Sequence, residues 1–297
     1  MSDIASPASV TELQRVAARV ALVGPGRAGT TIAAALAGRG SRVVAVAGRA
    51  GASSTTVTAR LLDAEPRAVA VVGTGADLVL LAVPDDAIAD VAAALAGSTE
   101  PGALVVHLSG ARGLDALAPL ASSRPDVRVG ALHPLQSFPS PARSVTEARQ
   151  RLVGAWAAVA GAPDVRRVAA ALGLRPFTLA DRDRATYHAA ACVASNHLVA
   201  LLGQVERLAS AAGVPVQAFT PLARAALEHA VREGASAALT GPVARGDAGT
   251  VARHLDALAP GEAEAYLALA REAARLSGTR DPGLAALLTP VPEGQCT

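Results

Sequence analysis

The chain has 297 residues, of which 51% are hydrophobic, 18% charged and 2% aromatic, and its formal net charge is +2. That length predicts about two domains, and so few aromatic residues, with arginines scattered rather than clustered, argue against a nucleic-acid partner. No apolar run reaches the roughly 18 residues that a membrane span needs, and the polar stretch Met1–Thr11 reads as a short disordered lead rather than a signal peptide.

From there, short β-rich runs alternate with alanine-rich helical runs. This predicts an α/β class domain over residues 1–180, a Rossmann-type, mainly parallel sheet wrapped by helices. The candidate strands are Val20–Val23, Arg42–Ala47, Leu78–Val83, Leu104–Leu108 and Val127–Leu132, followed by Gly154–Ala160 and Leu174–Leu179. Helices between them start near Gly29, Ser54, Asp85 and Gly113, and Phe138–Arg143 reads as an exposed connection. Beyond Asp181 the strand signals stop. Asp181–Ala212 reads as one long helix eased at Gly203, followed by helices over Val216–Glu233, Asp247–Ala259 and Gly261–Leu276, so residues 181–297 are expected to form an all-helical second domain. Asp247 is placed to cap a helix N-terminus, and Gly213, Gly234 and Gly278 to close helix C-termini. Residues 280–297, with Pro282, Pro290 and Pro292, read as a loose tail.

The first strand runs directly into Gly24-Pro25-Gly26-Arg27-Ala28-Gly29 and then an apolar helix. In a dinucleotide-binding turn Gly24 makes the sharp bend, Gly26 has no Cβ to block a pyrophosphate, and Gly29 lets helix and sheet pack closely. The helix N-terminus, with its free N–H groups, then faces the phosphates. After the second strand, an NAD site would offer an acidic residue to the ribose. This chain has Ala47-Gly48-Arg49 instead, with Ser53 and Ser54 close behind, which suits the 2′-phosphate of NADP. One exposed arginine among many is the other reading. Val83 and Pro84 end a strand at the ligand-bearing edge and are placed beside the nicotinamide, although a structural turn explains them equally.

Two more strand ends carry polar residues: His107 with Ser109 and Gly110, and His133-Pro134 with Gln136 and Ser137. They either hydrogen-bond a substrate or serve as satisfied structural groups. The long helix carries Tyr187-His188, Cys192, Ser195 and Asn196 in an apolar setting, with His188, Cys192 and Asn196 at i, i+4 and i+8. Such a stripe is either paired across a helix interface or used in chemistry. Arg245, just before the helix capped by Asp247, either reaches an anionic substrate or cofactor or is a solvated side chain. All 27 basic residues are arginine, which closes mechanisms built on a lysine Schiff base or lysine acid. Cys192 and Cys296 are the only cysteines and form no CxxC pair, which indicates a reducing, cytoplasmic setting and no zinc site.

These features resemble the superfamily of 6-phosphogluconate dehydrogenase, ketopantoate reductase, pyrroline-5-carboxylate reductase and prephenate dehydrogenase. The ketopantoate reductase pattern Lys-x3-Asn-x3-Asn-Pro-Leu aligns with His188-x3-Cys192-x3-Asn196-His197-Leu198, so only Asn196 and Leu198 match by identity. More narrowly, GALHPLQSF, YHAAACVASNHLVAL and LTGPVARGD resemble a bacterial family of Rossmann-like proteins with a C-terminal domain of unknown function, often labelled NADP-dependent oxidoreductases. The likeness spans residues 18–277. It implies an NADP-dependent enzyme reducing a small 2-oxo acid, ketopantoate first among them, in a cytoplasmic homodimer. His188 would donate the proton, because imidazole titrates near neutral pH. Asn196 would orient the substrate oxygen, Ser109 and His133 would line the rim, and Arg245 would hold the carboxylate. A prephenate-type oxidative dehydrogenase and a non-catalytic NADP-binding sensor or scaffold are the alternatives.

Overall fold

The computed structural model describes residues 10–138 and 144–289. The expectations for Met1–Ser9, for 139–143 in the Phe138–Arg143 connection, and for 290–297 with Cys296 lie outside the described residues. The eight strands are β1 (Arg19–Val23), β2 (Arg42–Ala47), β3 (Glu65–Pro66), β4 (Leu78–Leu81), β5 (Leu104–His107), β6 (Arg128–Pro134), β7 (Trp156–Gly161) and β8 (Arg175–Thr178). They form one sheet in the order β3-β2-β1-β4-β5-β6-β7-β8. Every neighbouring pair is parallel except β6 with β7. The chain builds outward from β1 to β3, then crosses back to start the other half at β4. Beside that reversal, at the carboxyl ends of β1 and β4, open α/β sheets bind ligands.

Helices cover both faces, which is why the strands read as unbroken apolar runs. Within each strand alternate side chains enter opposite cores. Val20 and Leu22 of β1, Leu78 and Leu80 of β4, and Leu104 and Val106 of β5 pack on one face. Ala21, Val23, Val79, Leu81 and Val105 pack on the other. The first face is covered by α1 (Val10–Ala17), α2 (Arg27–Ala37), α3 (Ser53–Leu61) and further helices, and the second by α4 (Ile88–Ala94) and α5 (Ala118–Ser123). Later on the first face come α6 (Val145–Leu152) and α7 (Pro163–Ala171), neither marked by the strand-and-helix reading above.

The helical run after Asp181 differs from a single rod. It comprises a 3₁₀ turn at Asp181–Asp183, α8 (Arg184–Cys192), a π turn at Val193–His197 and α9 (Leu198–Ala211). The easing therefore falls at the π turn. Gly203 lies inside continuous α9, where a helical glycine costs only about 1 kcal/mol and need not break the run. The remaining helices are α10 (Thr220–Glu233), α11 (Ala235–Ala238), α12 (Ala248–Ala257), α13 (Pro260–Ser277) and α14 (Pro282–Leu288). Asp247 caps α12 by accepting from the Thr250 N–H at 2.9 Å. Gly278 closes α13 in the left-handed conformation, φ +70°.

The loose tail must be corrected over residues 282–288. Asp281 caps α14 through the Leu284 N–H, Pro282 occupies its first turn, and Leu284 and Leu288 are buried. Proline suits that position because the first N–H groups have no intrahelical partner. The described residues divide between Asn196 and His197 into two compact units, so α8 packs with the sheet. No helix among the described residues is long and apolar enough to cross a membrane.

Candidate functional site

The turn from β1 to α2 is shaped by missing side chains. Gly24 sits at φ +91°, and its N–H donates to the Ala47 carbonyl at 2.9 Å. A Cβ there would stand 2.3 Å from the Ala82 carbonyl oxygen, just beyond β4. A Cβ on Gly29 would stand 2.4 Å from the Gly24 oxygen and 2.7 Å from the Ala82 Cβ. Gly26 is different: its Cβ would meet nothing within 4 Å. Its backbone is extended and no side chain caps α2, so the first N–H groups of that helix are left for an anion. Pro25 leans on the turn after β2, where a Cβ on Gly48 would come within 3.0 Å of Pro25 Cδ. Arg27, Arg49, Ser53 and Ser54 are exposed, Val83 is half-buried against the second core, and Pro84 is exposed at the head of a 3₁₀ turn.

Next along the same edge, β5 ends in His107 and β6 in His133-Pro134. His107 is fully buried. Its Nε2–H donates to the Gly113 carbonyl at 3.1 Å, while its Nδ1 is buried without a partner. Burial, helped by the Arg184 charge, pushes this imidazole down to about 4, so it is neutral. Between His107 and Gly113 the chain turns over Ser109, whose Oγ accepts from the N–H groups of Ala111 and Arg112 at 3.1 and 3.0 Å. Both bonds use its lone pairs and leave the hydroxyl proton to donate.

The start of α8 locks onto this turn. Asp181 accepts from the Leu114 N–H at 3.3 Å and from Arg184 Nε at 2.8 Å. The Arg184 bond comes first among the causes that hold the Asp181 carboxyl below the ordinary carboxylate range. Arg184 itself is wholly buried, and its Nη1 and Nη2 have no partner among the described residues. One turn on, Tyr187 Oη lies 2.7 Å from His133 Nδ1, with the rings edge to face at 5.5 Å. The His188 ring lies 5.8 Å from His133. A Cβ on Gly110 would stand 2.6 Å from His188 Cδ2 and 2.8 Å from His133 Cε1, so only glycine lets the turn press against both imidazoles.

Sheet register explains why Tyr187 fits. His133 pairs with Ala158 and Ala158 with Phe177, which puts one alanine between two rings. Tyr187 reaches both rings, with its centroid 5.9 Å from that of Phe177. Burial, then His188, then Arg184 push His133 down to about 4, while burial pushes the Tyr187 phenol up against the pull of Arg184. Phenol and imidazole are thus both uncharged at neutral pH.

The structure brings His133 and His188 together against Gly110, the residue after Ser109, and turns His107 inward as a structural strut. His188 Nδ1 lies 3.8 Å from Cys192 Sγ, as i, i+4 spacing requires. Asn196 does not continue that line, because the wider π turn at Val193–His197 rotates it away. Its side chain is exposed, with Oδ1 2.9 Å from Ser195 Oγ. Arg245 is exposed in the second unit, on the turn that precedes Asp247. The residues missed from sequence are Asp181, Arg184 and Tyr187. An Asp-x-x-Arg pair at a helix start was the available signal for the first two.

Residues 4–134 match the Rossmann-like domain family, and residues 156–273 match the family described as Domain of unknown function (DUF2520). No curated protein matches the chain. Among solved structures, a Bacteroides fragilis protein provisionally named an NADP oxidoreductase is 23% identical, covers 87% of this chain and 98% of its own, and has a TM-score of 0.74. A Thermotoga maritima protein is 21% identical with the same coverage and a TM-score of 0.63. A 1-pyrroline-5-carboxylate reductase of Streptococcus pyogenes is 14% identical, covers 90% and 97%, and has a TM-score of 0.57. At such identities the likeness establishes the fold. Over those two stretches the chain is similar to a Rossmann-like domain and to the domain of unknown function DUF2520.

Proposed function

We propose that this protein is an NADP-dependent oxidoreductase that reduces a small 2-oxo acid, with ketopantoate the first substrate to try. One observation carries the reading: the glycine turn, Val83, Ser109 and the imidazole–phenol cluster occupy adjacent strand ends on one edge of one sheet. The open space at Gly26 and the uncapped α2 N-terminus fit a pyrophosphate. The backbone of Gly24, Pro25, Gly26, Arg27, Ala28 and Gly29 would hold it. Arg49 with Ser53 and Ser54 would take the 2′-phosphate, and Val83 and Pro84 would flank the nicotinamide. A reduced nicotinamide supplies hydride when bound there. Ser109, with its proton free, donates to the substrate oxygen, and the cluster of His133, Tyr187 and His188 supplies the proton that completes the alcohol.

We also propose a homodimer formed through the second unit. Its largest apolar cluster among the described residues has five buried side chains, while Val199, Leu222 and Val231 are 69%, 69% and 79% exposed. Light scattering should give twice the chain mass.

The direct test incubates the protein with NADPH and ketopantoate, then with a panel of 2-oxo acids, and follows nicotinamide absorbance. Oxidation with at least one acid is expected, faster with NADPH than with NADH. The preference should shrink by about tenfold in Arg49→Ala, the loss of one charge-assisted contact. If no acid oxidises the cofactor at high enzyme concentration, the reading is wrong.

A further inference from the structure

Two features of the ring cluster exceed what a structural role needs. The first is the Tyr187–His133 hydrogen bond. The chain has only two tyrosines, and this one is half-buried with its hydroxyl 2.7 Å from an imidazole. The second is Arg184. A wholly buried guanidinium normally has all its donors satisfied, because a buried donor left without an acceptor loses the hydrogen bonds it made to water. Here Asp181 takes only Nε, and both terminal nitrogens are unpartnered among the described residues. Arg184 lies three residues before Tyr187 on the same helix, where side chains are neighbours. Its charge favours an anionic phenol there.

Resting on the oxidoreductase reading, we propose that Tyr187 is the proton donor of the reaction, reprotonated by His133, with the Arg184 charge stabilising the phenolate that forms. As the carbonyl carbon receives hydride, the C=O π pair moves onto oxygen. That oxygen takes the Tyr187 Oη proton, so the phenol O–H bond breaks and the alcohol O–H bond forms. His133 Nδ1–H then returns a proton to Tyr187, and His133 Nε2 takes one from solvent. The two transfers are concerted, so the ring stays neutral, which its burial favours, and proton exchange with solvent restores the Nδ1–H tautomer before the next turnover. In a chain without lysine, Arg184 provides the fixed positive charge such a phenol needs.

His188 is the rival donor. Its Nδ1 faces the Cys192 thiol and its Cδ2 edge lies against Gly110, whereas Tyr187 carries an oxygen–nitrogen relay already in contact. Burial holds the phenol protonated at rest, the state an acid requires.

The experiment compares full-length wild type with Tyr187→Phe, which keeps the ring between His133 and Phe177 and loses only the hydroxyl. With NADPH and the best-used 2-oxo acid, kcat should fall about 100-fold, the scale of general acid catalysis. NADPH affinity should stay unchanged, and Tm should fall by no more than about 5 °C, the cost of one lost hydrogen bond. A Tyr187→Phe enzyme within about threefold of an active wild type overturns the proposal, since a proton donor is worth far more. If wild type itself turns over no acid, the oxidoreductase reading has failed first and the donor role falls with it. A readout independent of turnover uses the Tyr266→Phe background, where Tyr187 is the one remaining tyrosine. Its phenol should titrate about one pH unit higher after Arg184→Gln, a tenfold shift in the ionisation constant. An unmoved titration overturns the role given to Arg184.

Discussion

The two stretches of the sheet's carboxyl edge are prepared by opposite means. From Gly24 to Gly29 the site is made by omitting side chains: two glycines let backbone pack on backbone, and a third leaves space. From His107 to His133 it is made by burying side chains whose charges the interior suppresses. In the first stretch, fold and ligand make their demands on different residues. In the second the same residues serve both. Substitutions can therefore separate stability from binding around the glycine turn and will confound them around the histidines.

Gly24→Ala should have the largest effect. Its Cβ would overlap the Ala82 carbonyl, and its φ of +91° is strained for alanine. Urea denaturation should show a loss of several kcal/mol, the scale of backbone strain and overpacking together. A loss below about 1 kcal/mol would mean that the turn is not as tight as described.

Acid should come next, and between pH 7 and pH 5 chiefly through the histidines. His107 and His133 sit at about 4 in the fold against an ordinary 6.5, so the unfolded chain takes up protons first. Their contribution is full above pH 6.5 and is lost as pH falls from 6.5 towards 4. Between pH 7 and pH 5 the two together should remove roughly 4 kcal/mol of unfolding free energy, at a limiting slope of about 1.4 kcal/mol per pH unit each. His107→Gln should lose the His107 share of this slope; the same slope in the variant would show that His107 is not buried neutral.

Gly110→Ala should be milder for stability and severe for chemistry. Its Cβ must displace His188 or His133, costing about 2 kcal/mol by overpacking. Turnover should drop while NADPH affinity holds, because the glycine turn is untouched. An equal loss of both would show that the two stretches are not separable.

Much of this was legible along the chain. The strand runs are readable because parallel strands buried on both faces are continuously apolar. The glycine turn is readable because each glycine answers a local steric need. α6 was passed over although Ser144 and Glu147 carry a capping signature that the structure uses, the Ser144 Oγ accepting from the Glu147 N–H. α14 was hidden by reading Pro282 as a breaker when it starts a helix. Ser109, His133 and His188 stood out as polar residues at strand ends or in an apolar helix. Tyr187 and Arg184 did not, for a tertiary reason. The tyrosine's partners, His133 and Phe177, are separated by 44 positions of sequence and joined only by register across β6, β7 and β8. The burial of an arginine beside Asp181 leaves no periodic trace.

The most direct measurement is a fluorescence titration of wild type and Gly26→Val with NADPH, with Tm recorded for both. The account predicts saturable binding to wild type, and at least a tenfold loss, about 1.4 kcal/mol or more, in a variant whose Tm is nearly unchanged. Equal binding by both proteins, or binding by neither, would contradict it.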